Sequence, residues 1–589
     1  MVTPVDSNIV SWVVFLPMFT ALSLLGARVI ASSIFNLDGL PSWSWRAIAL
    51  LSSTITFVLA FVGLWQGFDP EITDYQMMER IGWMPSLGLN YFVGVDGISL
   101  VLVMLTTFVF PIAIVGSWKE VDQWLRSYSV FLLLLETGII GALVSLNAIQ
   151  LYFFWELTLI SSFFILGRWG EADGLRAAVK SLVLGAAGFF LMLAATLVVY
   201  RLNLEQGGAG NFDLVRWIDV ASPGFLDTRV PIGAAAGVTG DAGIDWWQTQ
   251  SWLFFAFVLA FAVKIPLVPF HGWYNDAQCQ GPTSGSVIVS ALVLKLGIFA
   301  FLRIALPLFP HAAMEYAPWL CGLALAGIAI SGVFALAQRD VKRLLGYISL
   351  AHMSFIVLGI CSLEHHAVVG AVVHMLSHGL CISVLFILIG FLVERRSTRE
   401  LSQFGGLARP MPICAALFAI AILGQVGVPG TSGFVGSFLV FLGSFPIGGF
   451  TTLLALAGMA LVACGLMGAA GRMMLGPIEQ PENRGLIDLN LRERLVALSL
   501  IVPILWVGLY PNPILRRIEP PVSLLLNGMA RAVADAPAPV PDVKPVDRVV
   551  EKIDEKIDEK INQDVFQEKV QDILEEMDKE PVPAMEVRP

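Results

Sequence analysis

Charge is scarce in this sequence. Asp, Glu, Lys and Arg together make up 14% of 589 residues, against roughly 25% in an ordinary soluble chain. Cysteine is scarcer and carries no pattern: Cys279, Cys321, Cys361, Cys381, Cys414 and Cys464 stand singly, with no CxxC and no metal-ligand spacing. They read as small apolar residues, and neither a disulfide framework nor a thiolate-ligated cluster organises the chain. Glycine is plentiful, yet no phosphate-cradling loop or nicotinamide fingerprint uses it; GAGNF at 208–212 is too short and in the wrong context. Redox chemistry therefore has no visible carrier here. A net charge of −10 gives no reason to expect a nucleic-acid partner.

What is present in excess is apolar sequence, 56% of the chain. Runs of about 18 or more apolar residues recur, each long enough to cross a hydrocarbon core roughly 30 Å thick. Fourteen are read, near 10–27, 47–66, 96–117, 128–146, 149–167, 179–200, 252–271, 285–307, 317–337, 345–362, 367–393, 411–443, 451–471 and 495–512. The fold class is an all-α integral membrane protein in the lipid bilayer. The first run is followed by many others, so it reads as a span and not as a cleaved signal. Two runs contain breaks: Pro266 and Pro269 interrupt one, and GVPGTSG at 427–433 interrupts the run 411–443.

Arg and Lys collect in alternate loops. The odd-numbered loops hold Lys119, Arg126, Arg168, Arg176, Arg339, Lys342, Arg343, Arg395, Arg396 and Arg399, whereas the even ones hold little beyond Arg80 and Arg201, apart from the long 202–250 segment, which translocates largely regardless of charge. The positive-inside rule makes the odd loops cytoplasmic and puts both termini outside. Beyond residue 533 a Pro-rich linker leads to a stretch with 15 acidic and 8 basic residues over 541–589. Apolar residues at 553, 557, 561 and 565 are at helical spacing. A solvated soluble tail helix and docking of this stripe on a partner subunit are both open readings.

Ionisable side chains inside spans cost at least about 2.5–3.5 kcal/mol and mark proton or ion paths. Here they recur on consecutive helices: Glu136 in LLLLETGII, Glu156 in FFWELTLI, Lys180 in AAVKSLV, Lys264 and His271 in VKIPLVPFHGW, and Lys295 in LVLKLG. His352, His374 and His378 follow in YISLAHMSF and VVHMLSHGL. A single such group can be structural; the series points to proton handling. Lys264 and His271, seven apart, share a face if their helix stays regular. The prolines free backbone carbonyls at that level, a state tolerated in a membrane only where protein or water satisfies them. Lysine beside such a hydrated break, paired with a carboxylate, is a proton holder that lets go when its partner is neutralised.

These residues sit in longer matches. GVDGISLVLVMLTTFVFPIAIVGSW (94–118), FFWELTLI, VKIPLVPFHGW, GPTSGS (281–286), LAQRDVKRLLGYISLAHM (336–353), MLSHGL and VGVPGTSGFVG resemble the antiporter-like membrane subunits of respiratory complex I, from the first helix to about residue 515. The resemblance implies fourteen helices with two inverted five-helix repeats, each holding one discontinuous helix. On that reading 1–125 carries the first three helices, 126–310 and 311–475 the two repeats, 476–532 the last span, and 533–589 the linker and tail. It further implies that Glu156 pairs with Lys264, that Lys295 sits centrally, and that His352 and His378 wire the path. Lys180 matches the family's lysine near the cytoplasmic end, and Glu136 the glutamate ahead of FFWE. Quinone, NADH, FMN and iron–sulfur clusters would belong to other subunits of the complex. The partners implied are the neighbouring antiporter-like chains of the membrane arm, in a bacterial inner (plasma) membrane.

Departures from the family pattern are concentrated. Ser437 stands in GFVGSF where the family carries a glutamate as terminal proton carrier, and serine relays a hydrogen bond but holds no charge. His374, where glutamine is common, is the candidate to take over. Tyr274-Asn275-Asp276 replaces Leu-Pro-Asp, and Asn147 replaces a frequent acid. The leading expectation is a proton-translocating subunit of an NADH–quinone oxidoreductase. A chain of a multisubunit cation/proton antiporter and a non-pumping spacer subunit, the latter motivated by Ser437, stand as alternatives.

Overall fold

The structure is a computed structural model that describes residues 8–34, 43–84, 88–205, 210–218, 246–446, 448–534, and 569, 571 and 572. The chain divides into two units, Met1–Val533 and Ala534–Pro589. Nearly all of the second, with the expected linker and tail helix, lies outside the described residues, as does 219–245 of the long sixth loop.

The first unit is built from helices: α1 (Ile9–Ile34), α2 (Trp43–Leu59, running on to Trp65), α3 (Gly97–Gly116), α4 (Leu125–Val144), α5 (Ala148–Trp169) and α6 (Gly174–Glu205). After the short α7 (Leu214–Ile218) come α8 (Trp246–Lys264), α9 (Gly272–Gln280), α10 (Thr283–Leu308) and α11 (Pro310–Ala337). The remainder are α12 (Val341–Cys361), α13 (His365–Arg396), α14 (Pro412–Val426), α15 (Ser432–Ser444), α16 (Gly449–Met474), α17 (Leu491–Leu509) and α18 (Asn512–Ala534). Among the described residues eleven helices are long and apolar enough to cross a membrane, or twelve when α17 is taken with α18, bent from it by 70°.

Polar residues at helix starts explain where the chain begins to coil. Asp96 and Ser99 form a reciprocal box at the head of α3, and Asn490 with Glu493 does the same for α17. Asn147 caps α5, Asp340 caps α12 and Glu364 caps α13 through side-chain oxygens that accept from the first free N–H groups. Asn147, where an acid was the family habit, thus does a capping job that needs no charge.

Burial sorts the helices into an inner file and an outer wall. In α12 and α13, 94% of the apolar window is buried, against 28% in α6. The wall helices turn Leu, Phe and Val outward: Phe190 on α6, and Phe450, Leu453 and Leu456 on α16, are exposed. Without water to drive them inward, such side chains mark a lipid-facing surface.

Two features had no warning in the apolar runs. Gln76–Met84 (β1) and Leu89–Val95 (β2) form an antiparallel hairpin, with Arg80 over the Phe92 ring and paired to Asp213 at 2.9 Å. Burial pushes the Asp213 carboxyl above its usual range, against the pull of Arg80 and Arg216. The helix α18 buries Ile514, Ile518, Val522 and Met529 along one stripe and anchors Arg517 on the Trp65 carbonyl and ring. The stretch 512–532, expected to be the tail end of the membrane region, is thus an amphipathic helix crossing the end of the bundle.

Candidate functional site

The first break ends α8 at Lys264, because Pro266 has no N–H to continue the ladder. The chain then runs irregularly to His271, which caps α9. Lys264 and His271 therefore do not share a helical face: the expectation assumed a regular helix, and the prolines remove it. His271 is partly buried near Lys180, with Nδ1 unpartnered. The break's loose carbonyl is satisfied from within, since Trp273 Nε1 donates to the Val263 oxygen at 2.9 Å.

Lys264 is buried, donates to Thr158 Oγ1 at 2.9 Å and lies over the Trp155 ring at 5.0 Å. Glu156 is on the same stretch of α5, close enough to act on that ammonium electrostatically, with Oε1 buried and unpartnered. No direct Glu156–Lys264 ion pair is formed among the described residues; the Thr158 hydroxyl, two residues along α5, accepts the ammonium's hydrogen bond instead. A partly open cavity reaches this point, lined by Trp155, Ser162, Lys264, Gln278 and Ser286 among others. Glu136, fully buried, has no lysine partner among the described residues and accepts from Ser53 Oγ at 2.5 Å. Lys180 is half-exposed and binds Asp276 at 2.6 Å and the Gly272 carbonyl at 3.2 Å, clamping the start of α9.

Lys295 lies within α10, just past a widened π-helical turn over Val289–Val293. Such turns inside helices are common at functional positions. Its ammonium donates to the Ser290 carbonyl at 2.5 Å and meets His378 Nδ1 at 2.8 Å. His378 and His352 have ring centroids 5.3 Å apart, and His352 Nδ1 meets His374 Nε2 at 2.8 Å. Three helices, α10, α12 and α13, thus bring Lys295, His378, His352 and His374 into one buried file. His374 ends it with Nδ1 unpartnered.

The second break separates α14 from α15 at Gly427 (φ +84°), a left-handed conformation glycine adopts without penalty. Ser437 lies on α15 and donates to the Gly433 carbonyl at 2.7 Å, on its own helix. It does not enter the histidine file. Gln425, at the end of α14, is buried with both amide atoms unpartnered, and Ser377 Oγ on α13 meets Ser432 Oγ at 2.8 Å.

Sequence reasoning missed Thr158, Ser290, Tyr274 and Lys342. Lys342, counted as a loop cation, is buried at the head of α12 and donates to the Gly281 carbonyl at 3.0 Å. The signal for Thr158 was its place two residues after Glu156. For Tyr274 it was the departure from Leu-Pro-Asp.

A polytopic helix bundle with two broken helices and a buried lysine–histidine file is the architecture of an ion-translocating membrane subunit. The chain belongs to the NADH:quinone oxidoreductase/Mrp antiporter transmembrane family, whose model matches residues 145–462. NADH-quinone oxidoreductase subunit M of Rickettsia bellii is 37% identical over 479 residues, covering 81% of this chain and 91% of the relative. The subunit M of Rhodobacter capsulatus is 35% identical over 523 residues, covering 88% and 96%. A chain of respiratory complex I from Thermus thermophilus with bound NADH superposes with a TM-score of 0.74 at 26% identity, covering 88% of this chain and 99% of that one. A chain of the Mrp complex from Dietzia shares the fold, with a TM-score of 0.72 at 18% identity over 90% and 99% of the two chains.

Proposed function

We propose that this chain is a proton-translocating membrane subunit of an NADH–quinone oxidoreductase, moving H⁺ while quinone is reduced on other subunits. The observation that carries this reading is the buried file from Lys295 through His378 and His352 to His374. The relatives at 35–37% identity bear the name subunit M, whereas the Mrp likeness, at 18% identity, speaks to the fold alone.

In this reading fourteen spans cross the membrane: the eleven long helices, α17, and the two broken pairs α8–α9 and α14–α15. The repeats are 126–310 and 311–475, each with one break; 1–125 precedes them, 476–532 closes the membrane region and 533–589 is the tail. The Arg-rich loops face the cytoplasm and the termini the other side. Neighbouring antiporter-like chains flank the subunit, and NADH, FMN, iron–sulfur clusters and quinone are held elsewhere in the complex.

The proton route follows from donor and acceptor chemistry. Water in the cavity beside Lys264 delivers a proton to that amine, and Glu156 steadies the ammonium. When the carboxylate's influence is withdrawn, Lys264 releases its proton toward Lys295. Lys295 passes one to His378 at Nδ1, and a neutral imidazole that gains a proton on one nitrogen releases from the other. The step to His352 has no direct hydrogen bond and needs a water or a ring turn. From His352 Nδ1 the proton reaches His374 Nε2 and leaves from Nδ1 toward the second break. Glu136, Lys180, His271 and Ser437 support this path as anchors and water partners. The test is NADH-driven proton uptake by the intact complex in proteoliposomes: Lys295→Ala should cut it on the order of tenfold or more. Uptake at the wild-type rate would leave only the spacer reading.

A further inference from the structure

Tyr274 carries a phenol hydroxyl into a place that is 0% exposed. It sits on α9, the half-helix behind the first break, and its hydroxyl meets Ser290 Oγ at 2.6 Å, with the Ser349 hydroxyl of α12 as a second, weaker partner. Ser290, likewise fully buried, lies in the widened turn where the N–H of Leu294 reaches back five residues to the Val289 carbonyl. The Ser290 carbonyl is the oxygen to which the Lys295 ammonium donates. Next to Tyr274 in sequence, Trp273 holds the Val263 carbonyl, one residue before Lys264. Two adjacent aromatic residues of one short helix therefore tie both lysine-bearing helices to the same strut.

Lys295 has little else to rely on. Among the described residues its polar partners are the Ser290 carbonyl and His378 Nδ1, and no carboxylate offsets its charge. How readily it takes and gives a proton depends on how firmly that carbonyl is presented. A buried serine left alone in a helix turns its hydroxyl back to the preceding turn; bonded to Tyr274, it is held across to α9 instead.

We propose that Tyr274 is a positioning residue for Lys295: its hydroxyl, bonded to Ser290, fixes the widened turn whose carbonyl receives the lysine's ammonium. The inference rests on the reading of Lys295 as a proton carrier. If Tyr274 only filled space, phenylalanine would do as well, because it keeps the ring. The hydroxyl is thus the atom to remove.

The titratable groups around Lys295 are few. His378 and His374 face it from α13 and His352 from α12. Lys264 on α8 and Glu156 on α5 stand at the first break, and Glu136 on α4 is turned to Ser53. The experiment compares intact complexes carrying Tyr274→Phe, Ser290→Ala, both, or Lys295→Ala, reconstituted in proteoliposomes. Proton uptake per NADH oxidised is measured across pH. Tyr274→Phe is expected to slow uptake about three- to tenfold, the worth of one hydrogen bond. The alkaline limb of its pH profile should move down by about half to one pH unit, since the ammonium loses a fixed acceptor. Ser290→Ala should match it, and the double variant should be no slower than either single one, because both remove the same bond. Wild-type uptake and pH profile in Tyr274→Phe, or multiplicative losses in the double variant, would overturn the inference. If Lys295→Ala pumps normally, the proposed function itself fails; if it does not and Tyr274→Phe does, only the role of Tyr274 fails.

Discussion

His374 keeps Nδ1 buried and unpartnered while Nε2 is engaged with His352. Buried imidazole nitrogens in native proteins have partners, so this one is a place for water. Ser437, at the position where the resemblance implies a carboxylate, spends its hydroxyl on the Gly433 carbonyl. Its one hydroxyl proton is engaged along its own helix, and serine holds no charge. On the proposed route the titratable end of the file is therefore His374 on α13, and Gly436 of α15 packs directly against its backbone. His374→Gln keeps a hydrogen bond to His352 but cannot change protonation, so proton uptake by the complex should fall on the order of tenfold or more. Ser437→Ala should change it less than about twofold, because Ser437 supports the route without carrying a titrating proton on it. Equal losses in the two variants would place Ser437 back on the path.

Helices α13 and α15 approach so closely that a Cβ at Gly436 would lie 2.8 Å from the His374 nitrogen and Cα. Gly436→Ala must push the two helices apart, at an overpacking cost of about 1–3 kcal/mol. Thermal unfolding of the purified complex should start at a lower temperature, and uptake should drop as His374 is displaced. Gly468→Ala on α16, where nothing lies within 4 Å, is the control and should leave both unchanged or slightly improved. At this scale much was legible beforehand. Spans follow from apolar runs, and both breaks from Pro266, Pro269 and the glycines around 427–433. The hairpin at 76–95 was not legible, because QMMERIGWM is too mixed to announce which face is buried. Nor was α18, since Pro520 and Pro521 argue against a helix until a surface is there to bury its stripe. Pairings between distant positions were the hardest part. Glu136 with Ser53, Lys264 with Thr158 and Tyr274 with Ser290 are interhelical choices that no local pattern encodes. The ionisable residues were findable from their cost in a membrane; their partners depend on how helices dock.

Among the described residues of the first unit, a network of ion pairs gathers where α9, α10, α12 and α13 meet at one end of the bundle. Arg399 pairs with Glu171 at 3.0 Å and Asp340 at 3.2 Å, Lys180 and Arg343 share Asp276, and Lys342 reaches the Gly281 carbonyl beside the cavity. Gln278 and Gly281, at this end, line the cavity that also reaches Lys264, where the proposed route begins. Direction of transport is therefore a question of which end faces the cytoplasm. The positive-inside rule predicts that it is the Arg-rich end. Ser402, between α13 and α14, is exposed at that end, and Thr73, in the loop before the hairpin, is exposed in an even loop. Cys464 is the one exposed native cysteine, so the variants Ser402→Cys and Thr73→Cys are made with Cys464→Ser. A membrane-impermeant maleimide should label Ser402→Cys in inverted vesicles and Thr73→Cys in right-side-out vesicles. The opposite pattern would reverse the orientation, and with it the sense of the route from Lys264 to His374.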